Sequence, residues 1–283
     1  MWPTFIDFAS LAVDKSSDFT LGAEADSLYE YFPKMSALLG GRDQTYEDMY
    51  RAAMATAKEH LLFRPMLPDG DDILFAGDAR VRGGKNQGEV DRVADGQHLS
   101  CFVGGMFGLG GKLYGIDEHV KVGEKLARGC AWAYDQFQTG IMPEIFGMIP
   151  CKSLDGCEWD EERWASQGDQ RLPKGFRHAR DPRYILRPEA IESVFLMYRM
   201  TGKPEYQDMA WRMFLSIQSA TSTIKANTAI ADVTVSADQV KPLDSMEVSD
   251  PLFICPLFLI WTFSMAVLTR CGPCHRASGW PRR

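Results

Sequence analysis

Apolar positions recur at helical spacing along most of this 283-residue chain. After Asp26 the residues Leu28, Tyr31, Met35 and Leu38 share one face, and Gly40-Gly41 ends the run, which predicts a helix with that apolar face. A second helix is predicted over 43–63, with Tyr46, Met49, Ala53 and Ala57 inward. The stretch 65–95 is rich in Gly and Asp and admits a hairpin around 73–81. Helical patterns return over 98–113, which is glycine-rich, and over 116–137. The segment 139–183 reads as long and irregular, and loops of that length are usually functional or mobile. Pro188 fixes φ near the helical value and lacks the N–H that a first turn leaves unpaired, so it suits a first helical position. Ile191, Val194, Phe195 and Tyr198 continue that helix, and Thr201-Gly202-Lys203 turns the chain. A last helix over 204–217 is predicted to place Trp211, Phe214 and Leu215 in the core.

Candidate chemistry sits at the start of the Pro188 helix. Glu189 falls in the first turn, where free N–H groups and the macrodipole favour an ionised carboxylate, and Glu192 follows on the same face. Arg187 precedes them as a fixed positive charge. Two carboxylates and an arginine at a helix mouth suit a polyol or sugar site, while the plainer reading is a solvated acidic first turn. Asp26 has the same ambiguity, since an acid at a helix start is often an N-cap. His98 reads as a core histidine.

Other motifs are set aside on spacing. Gly83-Gly84-Lys85 lacks the upstream Gly of a phosphate loop, and Asn86 replaces its Ser or Thr. Gly104, Gly105, Gly108, Gly110 and Gly111 follow no strand and lack the dinucleotide spacing, so they are read as helix-packing glycines. Cys271-Gly272-Pro273-Cys274-His275 imitates a redox or haem motif but has too little chain after it for the helix that a redox centre needs. Cys151 and Cys157 either close a small disulfide or stay free.

Length fits one large domain or two small ones. With 38 acidic against 31 basic residues the net charge is −7, which argues against nucleic acid and against anionic membrane held by charge alone. Met1 runs straight into Trp2 and Pro3, so no signal peptide is visible.

Tyr184-Ile185-Leu186-Arg187-Pro188-Glu189-Ala190-Ile191-Glu192-Ser193 resembles the Leu-Arg-Pro-Glu-x-x-Glu-Ser motif of the class I α-1,2-mannosidases, glycoside hydrolase family 47, with a fungal-type cast. Four further segments resemble that family in the same order. They are Trp2-Pro3-Thr4-Phe5 with Ala25-Asp26-Ser27-Leu28-Tyr29-Glu30-Tyr31, and His98-Leu99-Ser100-Cys101-Phe102 with Gly104-Gly105-Met106. Met142-Pro143-Glu144-Ile145 and Asp244-Ser245-Met246-Glu247 complete the set. The resemblance implies an all-α fold, an (α/α)7 barrel that is incomplete in this chain, over 1–247.

It implies removal of α-1,2-linked mannose from high-mannose N-glycans with inversion, by a calcium-dependent monomer of the ER, Golgi or exterior. It assigns Asp26, Glu144 and Glu189 as catalytic acids, with Glu189 the base. It assigns His98, Arg187, Pro188, Glu192 and Glu247 to the sugar, and Cys101 with Cys130 to a disulfide. That pair separates the chain from the degradation-enhancing branch of the family, and a disulfide implies an oxidising compartment. Where some members carry a branch-selecting Arg, this chain has Glu24.

The pattern departs from the family after Glu247. Val248-Ser249-Asp250 and an uncharged run over 251–268 follow, at the lower edge of a membrane span in length. The expectation for 248–283 is a non-homologous tail, either read-through or shifted frame, or else a membrane anchor. The family's principal acid is expected ahead of residue 1, and its calcium-binding threonine has no counterpart. Both point to an internal fragment, with slow or absent hydrolysis, exposed apolar helix faces, and a non-catalytic or weakly mannose-binding remnant as the alternative.

Overall fold

A computed structural model describes residues 1–2, 4, 9, 18–81, 88–224 and 226–243. Seven α-helices form the frame among them: α1 (Asp26–Leu38), α2 (Gln44–His60), α3 (Phe102–Leu113), α4 (Asp117–Asp135), α5 (Glu161–Gln167), α6 (Glu189–Thr201) and α7 (Glu205–Thr221). Helix α3 packs against α1, α4 and α6, while α1 pairs with α2 and α6 with α7. Successive helical pairs of this kind fit part of an (α/α)7 barrel.

Small residues bring the central helices close. A Cβ on Gly123 of α4 would lie 2.6 Å from the Gly104 carbonyl oxygen and 2.8 Å from the Gly108 nitrogen of α3. No side chain fits there, which is the packing role read from the glycines of α3. Ser193 of α6 fastens the third helix: its Oγ donates to the Cys101 carbonyl and accepts from the Gly105 N–H at 2.8 Å. Cys101 is bonded to Cys130 across α3 and α4, with Cα atoms 6.1 Å apart. Cys151 and Cys157 are also bonded, which decides the alternative the sequence left open.

Two predicted core stripes are turned outward. On α1 the buried residues are Tyr29, Phe32, Pro33 and Ser36, whereas Leu28 (43%), Tyr31 (53%) and Leu38 (77%) are exposed. This helix carries two apolar stripes, and contact of Tyr29 and Phe32 with Trp2 and the α2–α3 core selects one. On α7, Trp211 (37%) and Leu215 (49%) are exposed and Phe214 is half-buried, while Tyr206, Ala210, Met213 and Ile217 face inward. The expected exposure of apolar helix faces is therefore present.

The connecting segments hold more strand than the pattern suggests. Leu62–Phe63 (β1), read as the end of the second helix, pairs with Phe75–Ala76 (β2). The hairpin expected over 73–81 does not form, because Asp78–Val81 (β3) pairs with Val90–Val93 (β4) and with Asp18–Phe19 instead. Only Gly77 separates β2 from β3, too little chain for a hairpin turn, and its Cβ would meet the Val93 carbonyl at 2.3 Å. The stretch 139–183 is ordered: Ile145–Met148 (β6) lies between Asp95–Gln97 (β5) and Phe176–Asp181 (β7), with α5 between β6 and β7 in sequence. Phe146 and Phe176 pack there into the aromatic core, a long-range pairing that local periodicity does not reveal.

Candidate active site

The N-termini of α1 and α6 lie side by side, and a cleft of about 160 Å³ opens between them. Asp26, Ser27 and Glu30 line it from α1, Pro188, Glu189 and Glu192 from the start of α6, and Leu99 and Phe102 from the turn that leads into α3 and its first residue. Each acidic helix is entered through a non-glycine residue in the left-handed region, Glu24 at φ 73° and Leu186 at φ 62°. Such residues cost energy and persist where surrounding contacts hold them.

Asp26 is not an N-cap. Ala25 occupies that position, and the Asp26 carboxylate instead accepts from the Ser27 N–H at 2.8 Å. Pro188 stands one place earlier than predicted, at the N-cap of α6, and its carbonyl accepts the Glu192 N–H at 2.9 Å.

Glu189 behaves differently from the sequence expectation. As a residue it is half-buried, but its Oε2 is closed off from solvent and has no hydrogen-bond partner among the described residues. Burial pushes its pKa up to about 8, with Glu144 and Glu192 adding to the rise. Its own backbone N–H and Arg187 pull the other way and do not overcome burial. The helix start therefore does not keep this carboxyl ionised at neutral pH, because desolvation outweighs a first-turn effect of about 1 kcal/mol.

Arg187 is engaged with Glu144, whose Oε1 accepts from Nε at 2.9 Å and lies 2.7 Å from Nη2. Burial nonetheless raises the Glu144 pKa, and its Oε2 is buried without a partner among the described residues. Glu192 is raised by burial too, partly offset by Lys34 at 3.5 Å, and Lys34 also pairs with Glu30.

His98 is fully buried, which agrees with the core reading made from the residues. Its Nε2 lies 2.8 Å from the Tyr134 hydroxyl and its ring stacks on Tyr184 at 5.3 Å between centroids. Burial and the nearby Arg187 push its pKa down to about 3, so it is neutral.

The structure thus brings Asp26, Pro188, Glu189 and Glu192 together on the cleft wall. Glu144, Arg187 and His98 do not line the cleft. The expectation that Asp26, His98, Glu144 and Glu189 all converge on one cavity holds for Asp26 and Glu189 only. Glu247 and the tail fall outside the described residues.

Sequence reasoning missed Glu30 and Lys34, which share the Asp26 face of α1 at i+4 spacing and so were readable as a stripe. Tyr134 and Tyr184 were missed without any local signal. Calcium takes six to eight oxygen ligands, and no group of three or more His, Cys, Asp or Glu among the described residues is arranged to hold a metal. These residues do not by themselves fit the ion.

Comparison with known proteins agrees on one family. The sequence profile described as "Glycosyl hydrolase family 47" matches residues 1–249. A probable mannosyl-oligosaccharide α-1,2-mannosidase 1B of Neosartorya fischeri is 34% identical over 209 residues, which are 74% of this chain and 38% of that protein. A mannosyl-oligosaccharide α-1,2-mannosidase of Coccidioides posadasii is 36% identical over 216 residues, 75% of this chain and 37% of that protein. The structure of an α-1,2-mannosidase from Trichoderma reesei superposes with a TM-score of 0.70 at 29% identity, covering 87% of this chain and 48% of that one. The chain therefore spans less than half the length of the relatives it matches.

Proposed function

The chain belongs to glycosyl hydrolase family 47, and from that premise we propose that it carries part of an α-1,2-mannosidase site acting on high-mannose N-glycans with inversion. The observation that supports this reading is the cleft, in which carboxyls from α1 and α6, more than 150 residues apart in sequence, face one space. Carboxylates accept hydrogen bonds from sugar hydroxyls, and Phe102 and Leu99 offer an apolar wall to a pyranose face.

Inverting hydrolysis needs one carboxyl to protonate the leaving oxygen and a second to take a proton from water on the opposite ring face. Glu189 is assigned the base and Asp26 a second acid, with Glu144 behind them held by Arg187. His98, Arg187, Pro188, Glu192 and Glu247 are assigned to the sugar. The paired cysteines suit an oxidising compartment, which supports a place in the secretory pathway or outside the cell. No helix among the described residues is long and apolar enough to cross a membrane. We take the chain as a monomer, and calcium as a cofactor whose ligands the described residues do not supply.

A second reading is mannose binding without turnover. It is favoured by Glu189 itself, since a carboxyl pushed up to about 8 is largely protonated at neutral pH, and a base must be ionised. The test is the purified chain with α-1,2-mannobiose, with and without calcium, beside a Glu189→Gln variant. Mannose release that disappears in the variant establishes hydrolysis. Saturable binding without release establishes the second reading, and neither binding nor release overturns both.

A further inference from the structure

Glu30 of α1 and Glu192 of α6 form a partition between two spaces. On one side is the cleft, which both residues line together with Asp26 and Glu189. On the other is a small recess that both line again, where Met106, Leu109 and Leu196 make an apolar wall and Lys34 is the third charged group. Lys34 does not line the cleft. It therefore stands behind the two carboxyls as seen from the cleft.

Asp26, Glu30 and Lys34 follow one another at four-residue spacing and so share a face of α1. The Lys34 ammonium pairs with Oε1 of Glu30 and lies 3.5 Å from Oε1 of Glu192. Neither Oε2 is shut off from solvent without a partner, in contrast to Oε2 of Glu189. Lys34 thus engages each carboxyl through one oxygen and leaves the second to another donor.

The side chains of Glu30 and Glu192 are each 23% exposed, so water does little to separate their like charges. Burial opposes the charge on Lys34, yet Glu30 and Glu192 outweigh it and raise the lysine pKa, so the ammonium keeps its proton at neutral pH. The groups that act on Glu192 are Lys34 and Glu30 from α1 and Glu189 on its own helix, while α3 contributes the uncharged Phe102, Met106 and Leu109. Of these, Lys34 alone carries positive charge. Without it two carboxylates are left side by side, one takes up a proton, and that one becomes a weaker acceptor.

Resting on the mannosidase reading of the cleft, we infer that Lys34 is a positioning residue that holds Glu30 and Glu192 ionised from behind the cleft wall, each with one oxygen left to accept a hydroxyl hydrogen of the glycan. It acts through the two carboxyls and does not touch the sugar.

The test is carboxyl-carbon NMR of the full chain carrying ¹³Cδ-glutamate, with the two signals identified by their loss in Glu30→Gln and Glu192→Gln. Parent, Lys34→Met and Lys34→Arg are each titrated from acid to pH 8. Met keeps the alkyl stem that packs in the recess, and Arg keeps the charge. Lys34→Met should move the upper titration midpoint of the Glu30–Glu192 pair to higher pH, and Lys34→Arg should return it toward the parent. Binding of α-1,2-mannobiose at pH 7, read from saturable movement of the same signals, should weaken about tenfold in Lys34→Met, the difference between a charge-assisted and a neutral hydrogen bond. It should recover in Lys34→Arg.

An upper midpoint unmoved by Lys34→Met overturns the inference, because the ammonium then does not govern the pair. So does a midpoint that moves while mannobiose binds the variant as tightly as the parent, because Lys34 then serves stability and not the sugar. If mannobiose binds none of the three proteins, the mannosidase reading of the cleft fails, and the sugar role of Lys34 falls with it even where the titration shows the ammonium holding the pair.

Discussion

Glu189→Gln keeps the size of the side chain and removes its titration, and the structure gives the consequence for stability a sign and a size. Burial lifts this carboxyl from 4.5 to about 8, so between those values the folded chain holds a proton that the unfolded chain has released. Stability falls with rising pH wherever the native state binds more protons. At about 1.4 kcal/mol per pKa unit, the Glu189 contribution declines by about 2.5 kcal/mol from pH 5 to pH 7 and by about 5 kcal/mol once both states are ionised.

Other groups act on the same curve. Glu144 and Glu192, also raised by burial, lose stability in the same direction. His98 opposes them: its pKa falls from 6.5 to about 3 on folding, so the unfolded imidazole takes up a proton first as pH drops, and stability is lost toward acid. The difference between parent and variant removes these shared contributions to first order. Urea unfolding of both proteins at intervals from pH 5 to pH 8 measures it. Glu189→Gln should become the more stable protein as pH rises, by about 2.5 kcal/mol more at pH 7 than at pH 5. Parallel curves would show that the carboxyl is not held protonated, and the electrostatic account of the cleft would fall with it.

Replacing both Cys101 and Cys130 by Ser removes the tie between α3 and α4, and thermal or urea unfolding should show a loss of about 2–5 kcal/mol. Gly123→Ala puts a methyl against the Gly104 carbonyl; overpacking of this sort costs about 1–3 kcal/mol, and a variant of parental stability would show that α3 and α4 separate easily. The two stripes of α1 give a paired test: Leu38→Lys on the exposed stripe should change stability by no more than about 0.5 kcal/mol. Phe32→Ala on the buried stripe should cost about 3–5 kcal/mol, and the reverse ranking would mean that α1 is rotated from the orientation described.

Much of the helical frame and part of the site could be read from local sequence. The boundaries of α1 and α6 follow from features such as Gly40-Gly41, Pro188 and Gly202, which act on the backbone within one turn. Asp26, Glu189 and Glu192 were legible because acids at helix starts stand out against an apolar period, and because ordered motif segments matched one family. The Cys101–Cys130 bond was legible through that resemblance, which carries three-dimensional information that spacing alone does not.

Tertiary structure decided the rest. Periodicity identifies an apolar stripe but not its partner, so Leu28, Tyr31 and Leu38 gave the wrong face of α1 while Tyr29 and Phe32 met Trp2. The strands of 139–183 depend on partners dozens of residues away, and no local rule specifies them. The charge state of Glu189 went the same way: its helix position favours ionisation, but the low-dielectric surroundings assembled from α1, α3 and α6 favour the proton more strongly. The contacts of His98 with Tyr134 and Tyr184 join three positions with no shared local pattern. Local sequence fixes what the backbone does within a turn or two. Which side chains lose their water, and therefore what they can do chemically, is set only when distant segments close over them.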